Sequence, residues 1–192
     1  PVVAVAAILP DDFENFGIRD SKMLSEKKRD ELFDRILASK VLYGIGIVNH
    51  KKIDQINIFQ ATQLAMKKAI EKLPCKPDVL LVDGMKLRFT DTPQEKIIKG
   101  DQKVLSIAVA SVIAKVTRDR IMQKFDLKYP GYGLARHKGY PTKSHCEAIN
   151  TKGLLPIHRL TYGPVREVYD KMSSEGDSVN GNVYTLRMNR KV

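Results

Sequence analysis

The sequence predicts an α/β layered fold: a mixed sheet flanked by helices, with a helical C-terminal part. Three observations carry that expectation. Short apolar runs rich in β-branched residues, at 2–9, 41–48 and 78–82, alternate with longer stretches of helical period. The stretch 57–73 shows that period most clearly: Ala61, Ala65, Met66, Ala69, Ile70 and Leu73 form one stripe, and Lys67, Lys68, Glu71 and Lys72 the wet face. And 192 residues, 43% apolar and 29% charged, suffice to bury a core without staples.

In chain order, Val2 to Leu9 reads as a buried strand ending at Pro10. Ser25 is suited to N-cap a helix through Ala38, with Leu32, Phe33, Ile36 and Leu37 on its inner face. Val41 to Val48 is a second strand, although Gly44 and Gly46 weaken it. The helix from Asn57 ends before Pro74 and Pro77. Asp78 to Val82 is a short strand stopping at Asp83-Gly84, and the polar segment from Met85 to Lys99, with Pro93 inside, reads as irregular. One long helix runs from about Lys103 to Lys128, its small residues Ala108, Ala110, Ser111 and Ala114 allowing close approach to a sheet. Residues 130–141 form a loop, Thr142 caps a short helix that stops at Gly153, and Pro164 fits the first turn of a last helix at 165–172. This reading makes residues 1–170 one domain and 171–192 a tail, partly ordered or loose.

Charge narrows the function. The net formal charge of +11 favours polyanionic partners. Between Lys115 and His145 eight Lys or Arg residues face only Asp119 and Asp126, with Tyr129, Tyr132 and Tyr140 interleaved, which suits a nucleic-acid footprint as well as a solvated face. The opening apolar run is far shorter than the about 20 residues of a membrane span and lacks a basic region before it, so neither membrane insertion nor a signal peptide is expected. Two cysteines, Cys75 and Cys146, are too few for a disulfide framework and lack the CxxC pairs of a zinc ribbon, so they read as free thiols of a cytoplasmic protein.

Two acids stand where chemistry is done. Asp83 follows Val79-Leu80-Leu81-Val82, at the carboxyl end of a buried strand, the edge where open α/β sheets place ligands. It is either a helix or turn cap beside Gly84 or a functional group. Asp101 precedes the long helix, where an N-cap role competes with a functional one. If the 85–99 excursion returns the chain to the same edge, the two carboxylates converge in a basic environment and suit a divalent cation such as Mg²⁺, the arrangement of a metal-dependent nuclease. No Walker loop, dinucleotide fingerprint or GxSxG elbow is present. His137, His145, Cys146 and His158 match no common zinc spacing. The two histidines flanking Lys138 and Tyr140 read as polyanion contacts or turn caps.

Further blocks carry a resemblance. Asp20-Ser21-Lys22 with Leu24-Ser25 resembles the DSK-x-LS segment of bacterial type II ribonuclease H. Ile56-Asn57-Ile58, Val82-Asp83-Gly84, Lys99-Gly100-Asp101, the run 111–119, Tyr129-Pro130-Gly131-Tyr132-Gly133, the run 137–142, His158-Arg159 and Gly163-Pro164-Val165 follow in the family's order. The resemblance implies a ribonuclease H-like fold, and cleavage of the RNA strand of RNA–DNA hybrids and 5′ of ribonucleotides embedded in DNA, as in ribonucleotide excision repair. It also implies four acids holding two Mg²⁺ or Mn²⁺ ions, Asp83 and Asp101 being the third and fourth. By the same resemblance Tyr140 stacks on the sugar beside the scissile junction, Ser21, Lys22, Lys115 and Lys138 contact the nucleic acid, and the complete protein is monomeric. Asp119, inside the helix between Arg118 and Arg120, reads as an ion-pair partner rather than a metal ligand.

The family carries a DExGRG segment, with its first two acids, just before the strand that 2–9 resembles; this chain starts after it, at Pro1, and Asp11, Asp12 and Glu14 stand in the wrong context to replace it. The expectation is that the chain as given is inactive or nearly so, with a gap at the sheet centre. That gap predicts low stability, domain exchange or a borrowed strand. A non-catalytic nucleic-acid-binding module is the alternative reading. A structural RNA-binding protein explains the charge but not the Asp83/Asp101 pair.

Overall fold

A computed structural model describes residues 1–18 and 25–174 of the chain. The opening apolar run forms β1 (Val2–Ile8). After α1 (Glu26–Ala38) comes β2 (Leu42–Val48), antiparallel to β1 with Val2 opposite Val48 and Ile8 opposite Leu42. Helices cover both faces of this pair. Val2, Ala4 and Ala6 pack with Val48 on the alanines of α2 (His50–Glu71). Val5, Ala7 and Ile45 pack on Phe33 and Ile36 of α1 and on Val109, Val112 and Ile113 further along the chain. A strand packed against helices on both faces has no need of apolar–polar alternation, which is why residues 2–9 read as one continuous run.

The glycines of β2 are part of that packing. A Cβ on Gly46 would lie 1.8 Å from the Ala65 carbonyl oxygen, and one on Gly44 2.1 Å from that of Ala69. The fully buried Ala61 and Ala65 present the matching flat face. Ser25 caps α1 as expected, its Oγ accepting the Lys28 N–H at 3.3 Å, but Leu37 is turned outward and 38% exposed.

Four further expectations need correction. Helix α2 starts at His50, about two turns before Asn57, whose φ of 67° and ψ of 168° break it in two. Asn49 caps the first half through Lys52 N–H and Asn57 the second through Gln60 N–H, each at 3.0 Å. The strand expected from Asp78 begins later, as β3 (Leu80–Asp83), and the supposedly irregular segment contains β4 (Gln94–Ile97), parallel to β3 with Asp83 opposite Ile97. The loop between them is held by side chains: Gln94 grips both the N–H and the carbonyl of Leu87, at 2.7 and 3.0 Å, and buried Gln63 donates to the Lys86 carbonyl at 2.9 Å. Finally, the helix expected from Lys103 is two helices, α3 (Gly100–Lys103) and α4 (Leu105–Lys128), because Val104 is extended at φ −124°, ψ 121°.

Both antiparallel and parallel pairings are present, as a mixed sheet requires. Among the described residues they form two separate two-stranded sheets. A groove of about 660 Å³ lies between them, lined by residues 3–9 of one and 79–83 of the other, with Met66, Ala110 and Ala114 as part of its walls.

The chain divides into two compact units, Pro1–Lys124 and Phe125–Val192. In the second, the expected loop at 130–141 holds a one-turn helix, α5 (Leu134–His137), followed by α6 (Lys143–Lys152) and α7 (Gly163–Ser174). Thr142 caps α6 by accepting the His145 N–H at 3.3 Å, and Gly153, at φ 82°, ends it. Leu134, Ile149 and Val165 are each at most 2% exposed. The tail assigned to 171–192 lies, beyond Ser174, outside the described residues. Among the described residues no helix is long and apolar enough to cross a membrane.

Candidate active site at the carboxyl edge of the parallel strands

Asp83 ends β3, and its neighbour β4 ends beside it, so the chain leaving β4 passes the Asp83 carboxylate. Gly84, at φ 70°, turns away and donates its N–H to the Ile97 carbonyl at 2.9 Å, closing the edge. Lys99 then takes the left-handed conformation (φ 55°) and aims the next N–H back. The result is a 2.8 Å hydrogen bond from Gly100 N–H to Asp83 Oδ1. Asp101, the very next residue, lies in the first turn of α3 and is 6% exposed. The structure therefore brings Asp83 and Asp101 to one sheet edge, and the polar strand β4 is what returns the chain there. Asp101 is not the N-cap that sequence position suggested: Lys99 holds the cap position of α3, without a side-chain cap bond.

Gly100 is a site residue the sequence reading passed over. A Cβ there would stand 2.6 Å from Ile107 Cδ1 and 3.4 Å from Asp83 Oδ1. The signal was present, a glycine between a left-handed lysine and an acid, but only the paired strands give it meaning.

As a donor set, two carboxylates suit a hard cation that takes one or two protein oxygens and completes its shell from water and substrate phosphate. Among the described residues no group of three or more His, Cys, Asp or Glu side chains is placed to hold a metal. The cation reading rests on Asp83 and Asp101 alone.

Of the basic residues, Lys115 is 2.6 and 2.7 Å from the two oxygens of buried Asp119, and Arg29 approaches the same carboxylate at 3.8 Å. Asp119 is thus an ion-pair partner, with the lysine one turn back rather than its sequence neighbours; Arg120 pairs with Asp30 at 3.2 Å. Replacing Lys115 with Met leaves a buried carboxylate facing only the longer contact, an expected loss of about 2 kcal/mol after allowing for the partial exposure of the lysine. Thermal unfolding without nucleic acid should show a Tm lowered by about 5 °C. In the second unit, Lys138 is 7% exposed with φ 52° at the C-cap of α5, while the Tyr140 ring is 58% exposed. Ser21 and Lys22 lie outside the described residues. His137, His145 and His158 do gather, but as a stack of buried rings bonded to backbone and to one another. Cys146 is a free thiol, as is Cys75.

The model of one protein family, Ribonuclease HII, matches residues 1–165. The Ribonuclease HII of Listeria monocytogenes serotype 4a is 53% identical over 167 residues, covering 87% of this chain and 64% of that protein. A Ribonuclease HII of Bacillus cereus is 51% identical over 171 residues, covering 89% and 66%. The chain thus spans a little under two thirds of the length of these relatives. In three dimensions it is similar to the ribonuclease H2 from Pyrococcus horikoshii OT3, with a TM-score of 0.71, 25% identity, and coverage of 90% of this chain and 93% of that one.

Proposed function

The chain belongs to the ribonuclease HII family, and from that premise we propose that its protein hydrolyses the RNA strand of RNA–DNA hybrids and cuts 5′ of ribonucleotides embedded in DNA, with Asp83 and Asp101 as catalytic, metal-holding carboxylates. The observation that supports this most is the Gly100–Asp83 hydrogen bond, which keeps one carboxylate oriented and seats the other one residue away. The cofactor is Mg²⁺ or Mn²⁺, two ions in the complete site. Bound divalent ions supply Lewis-acid stabilisation of charge on the phosphodiester and lower the pKa of an attacking water.

The remaining work falls to this chain's own groups. The excess of 33 Lys and Arg over 22 acids draws in the polyanion. Ser21 and Lys22 contact its backbone; Lys115 and Lys138 join them only by leaving the Asp119 ion pair and the buried C-cap of α5 that hold them here. Tyr140, its ring exposed, stacks on the sugar at the junction and so senses the 2′-OH that separates RNA from DNA. The same reading makes the protein a cytoplasmic monomer of ribonucleotide excision repair.

The test uses the full-length protein with three duplexes: an RNA–DNA hybrid, a DNA duplex bearing one ribonucleotide, and all-DNA. Cutting of the first two in Mg²⁺ or Mn²⁺, abolished by chelation, is the expected result. Tyr140→Ala should lower kcat/KM on the single-ribonucleotide duplex by about tenfold to a hundredfold, the usual worth of one aromatic stacking contact. Binding without cutting would turn the reading to a binding module, and equal cutting of all-DNA would refute it.

A further inference from the structure

Three buried histidines of the second unit, His137 on α5, His145 on α6 and His158 beyond it, pack as one cluster. The His137 and His145 rings stack with centroids 4.1 Å apart and planes 19° apart. Backbone groups decide where their protons sit. A main-chain N–H can only donate, so His158 Nδ1, receiving Leu155 N–H at 3.0 Å, and His137 Nδ1, receiving Gly139 N–H at 3.1 Å, must both be lone pairs. The protons of these neutral rings are then on Nε2. His137 Nε2–H donates to the Tyr132 carbonyl at 2.7 Å. His158 Nε2–H points at His145 Nε2, 3.4 Å away. His145 accepts there, and its proton is on Nδ1, donated to the Tyr140 carbonyl at 2.9 Å. One tautomer assignment satisfies these five bonds, and in it all three rings are neutral.

The end of this relay is the main chain of Tyr140. Its N–H donates to the His137 carbonyl at 2.9 Å, and its carbonyl receives Thr142 N–H at 2.8 Å besides His145 Nδ1–H. The backbone is held from both sides, and Tyr140 as a residue is 58% exposed. Adding a proton to His137 or His158 sets N–H against backbone N–H; adding one to His145 sets it against His158 Nε2–H.

We infer that His145 and His158, with His137 stacked on them, are positioning residues for Tyr140: the neutral array sets the carbonyl, and through it the pitch at which the exposed ring meets nucleic acid. This rests on the reading of Tyr140 given above. Around His145 the titratable and charged groups are His137 from α5, His158 from the segment after α6, and Tyr132, edge-on to His158 at 6.0 Å with Lys152 5.9 Å from its ring centre. Burial pushes the His145 pKa below its ordinary value; the Tyr140 carbonyl opposes this and the neighbouring His137 adds to it. With the folded pKa lowered, the unfolded chain binds the proton more readily. The stabilisation is therefore complete above about pH 6.5 and is lost as pH falls below that value towards the folded pKa.

The test uses the 192-residue chain. Nitrogen-15 histidine spectra at about pH 7.5, where neutral imidazole dominates, should show Nε2–H tautomers for His137 and His158 and Nδ1–H for His145; an Nε2–H tautomer at His145 overturns the inference. Affinity for an RNA–DNA hybrid duplex is then read by anisotropy from about pH 7.5 down to about 5.5, the range over which histidine titrates. His145→Ala should weaken binding about fivefold at the upper end, the effect of one lost hydrogen bond. His145→Asn, whose amide N–H takes the place of Nδ1–H, should restore binding to within about twofold and show a flatter pH profile than the wild type. Wild-type affinity in His145→Ala alongside weak binding by Tyr140→Ala refutes the positioning role alone. Wild-type affinity in Tyr140→Ala, with the tautomers as assigned, refutes it through the nucleic-acid role of Tyr140 instead.

Discussion

Replacing Asp83 with Asn should abolish strand cleavage by the full-length protein and leave folding intact. The side chains are isosteric, and the amide oxygen of Asn still accepts the Gly100 N–H that Asp83 Oδ1 receives at 2.8 Å. What goes is the charge, and with it half of the carboxylate pair at the strand edge. Transition-state charge stabilisation in a preorganised site is typically worth two to three orders of magnitude, and a metal-holding group more, so kcat should fall by about a thousandfold or further. Tm should move by no more than about 2 °C, since polar swaps that keep their bonds change little. Asp101→Asn should lose activity to a similar degree. Steady-state cleavage of a single-ribonucleotide duplex in Mn²⁺, with thermal unfolding alongside, reads both. Activity of Asp83→Asn within about tenfold of wild type, far short of the loss expected for such a group, would remove Asp83 from the catalytic set.

The largest effect on stability is expected at Gly46. A Cβ there meets backbone on three counts: the Ala65 carbonyl oxygen at 1.8 Å, Ala69 N at 2.8 Å and the Ala65 carbonyl carbon at 2.9 Å. No rotamer change relieves an overlap with main chain, so Gly46→Val must lift β2 off α2 and open the Ala4, Val48, Ala61, Ala65 cluster beneath it. Overpacking of a dense core usually costs about 1–3 kcal/mol, and a backbone clash extends this to about 4 kcal/mol, a large share of the roughly 5–15 kcal/mol that holds a domain folded. Urea unfolding should register a midpoint shifted down accordingly. Gly163→Ala is the control: a Cβ there has nothing within 4 Å, and stability should stay within about 0.5 kcal/mol of wild type.

What was legible in the sequence was local. The caps at Ser25, Thr142 and Gly153 are written in residue type, and their hydrogen bonds or dihedrals match. β1 was legible because apolar side chains pack against helices on both its faces. β4 was not: Gln94-Glu95-Lys96-Ile97 has no apolar period, and its strand conformation comes from pairing with β3 and from the Gln94 side chain holding Leu87. The first half of α2 was hidden for a similar reason, since His50-Lys51-Lys52 opens it and its apolar anchors are buried Ile53 and half-buried Ile56. In the candidate site, the position of Asp83 followed from a strand end. The nearness of Asp101 depended on where an excursion of polar residues would return, which only the parallel ladder decides. The three histidines were visible in the sequence only as a set that fits no zinc spacing; their packing was not, because most of their partners are main-chain groups.

The groove between the two sheets has a last consequence. The pairings leave β1 and β3 each with one edge that has no ladder partner among the described residues, and those edges line a largely hydrocarbon trough. Along β1 the side chains are anchored while alternate peptide groups on the open rim lie outside any ladder. Such a rim is adhesive: it rewards any extended segment able to supply matching donors and acceptors. Side chains packed on both faces and a backbone edge open to pairing coexist in the same seven residues.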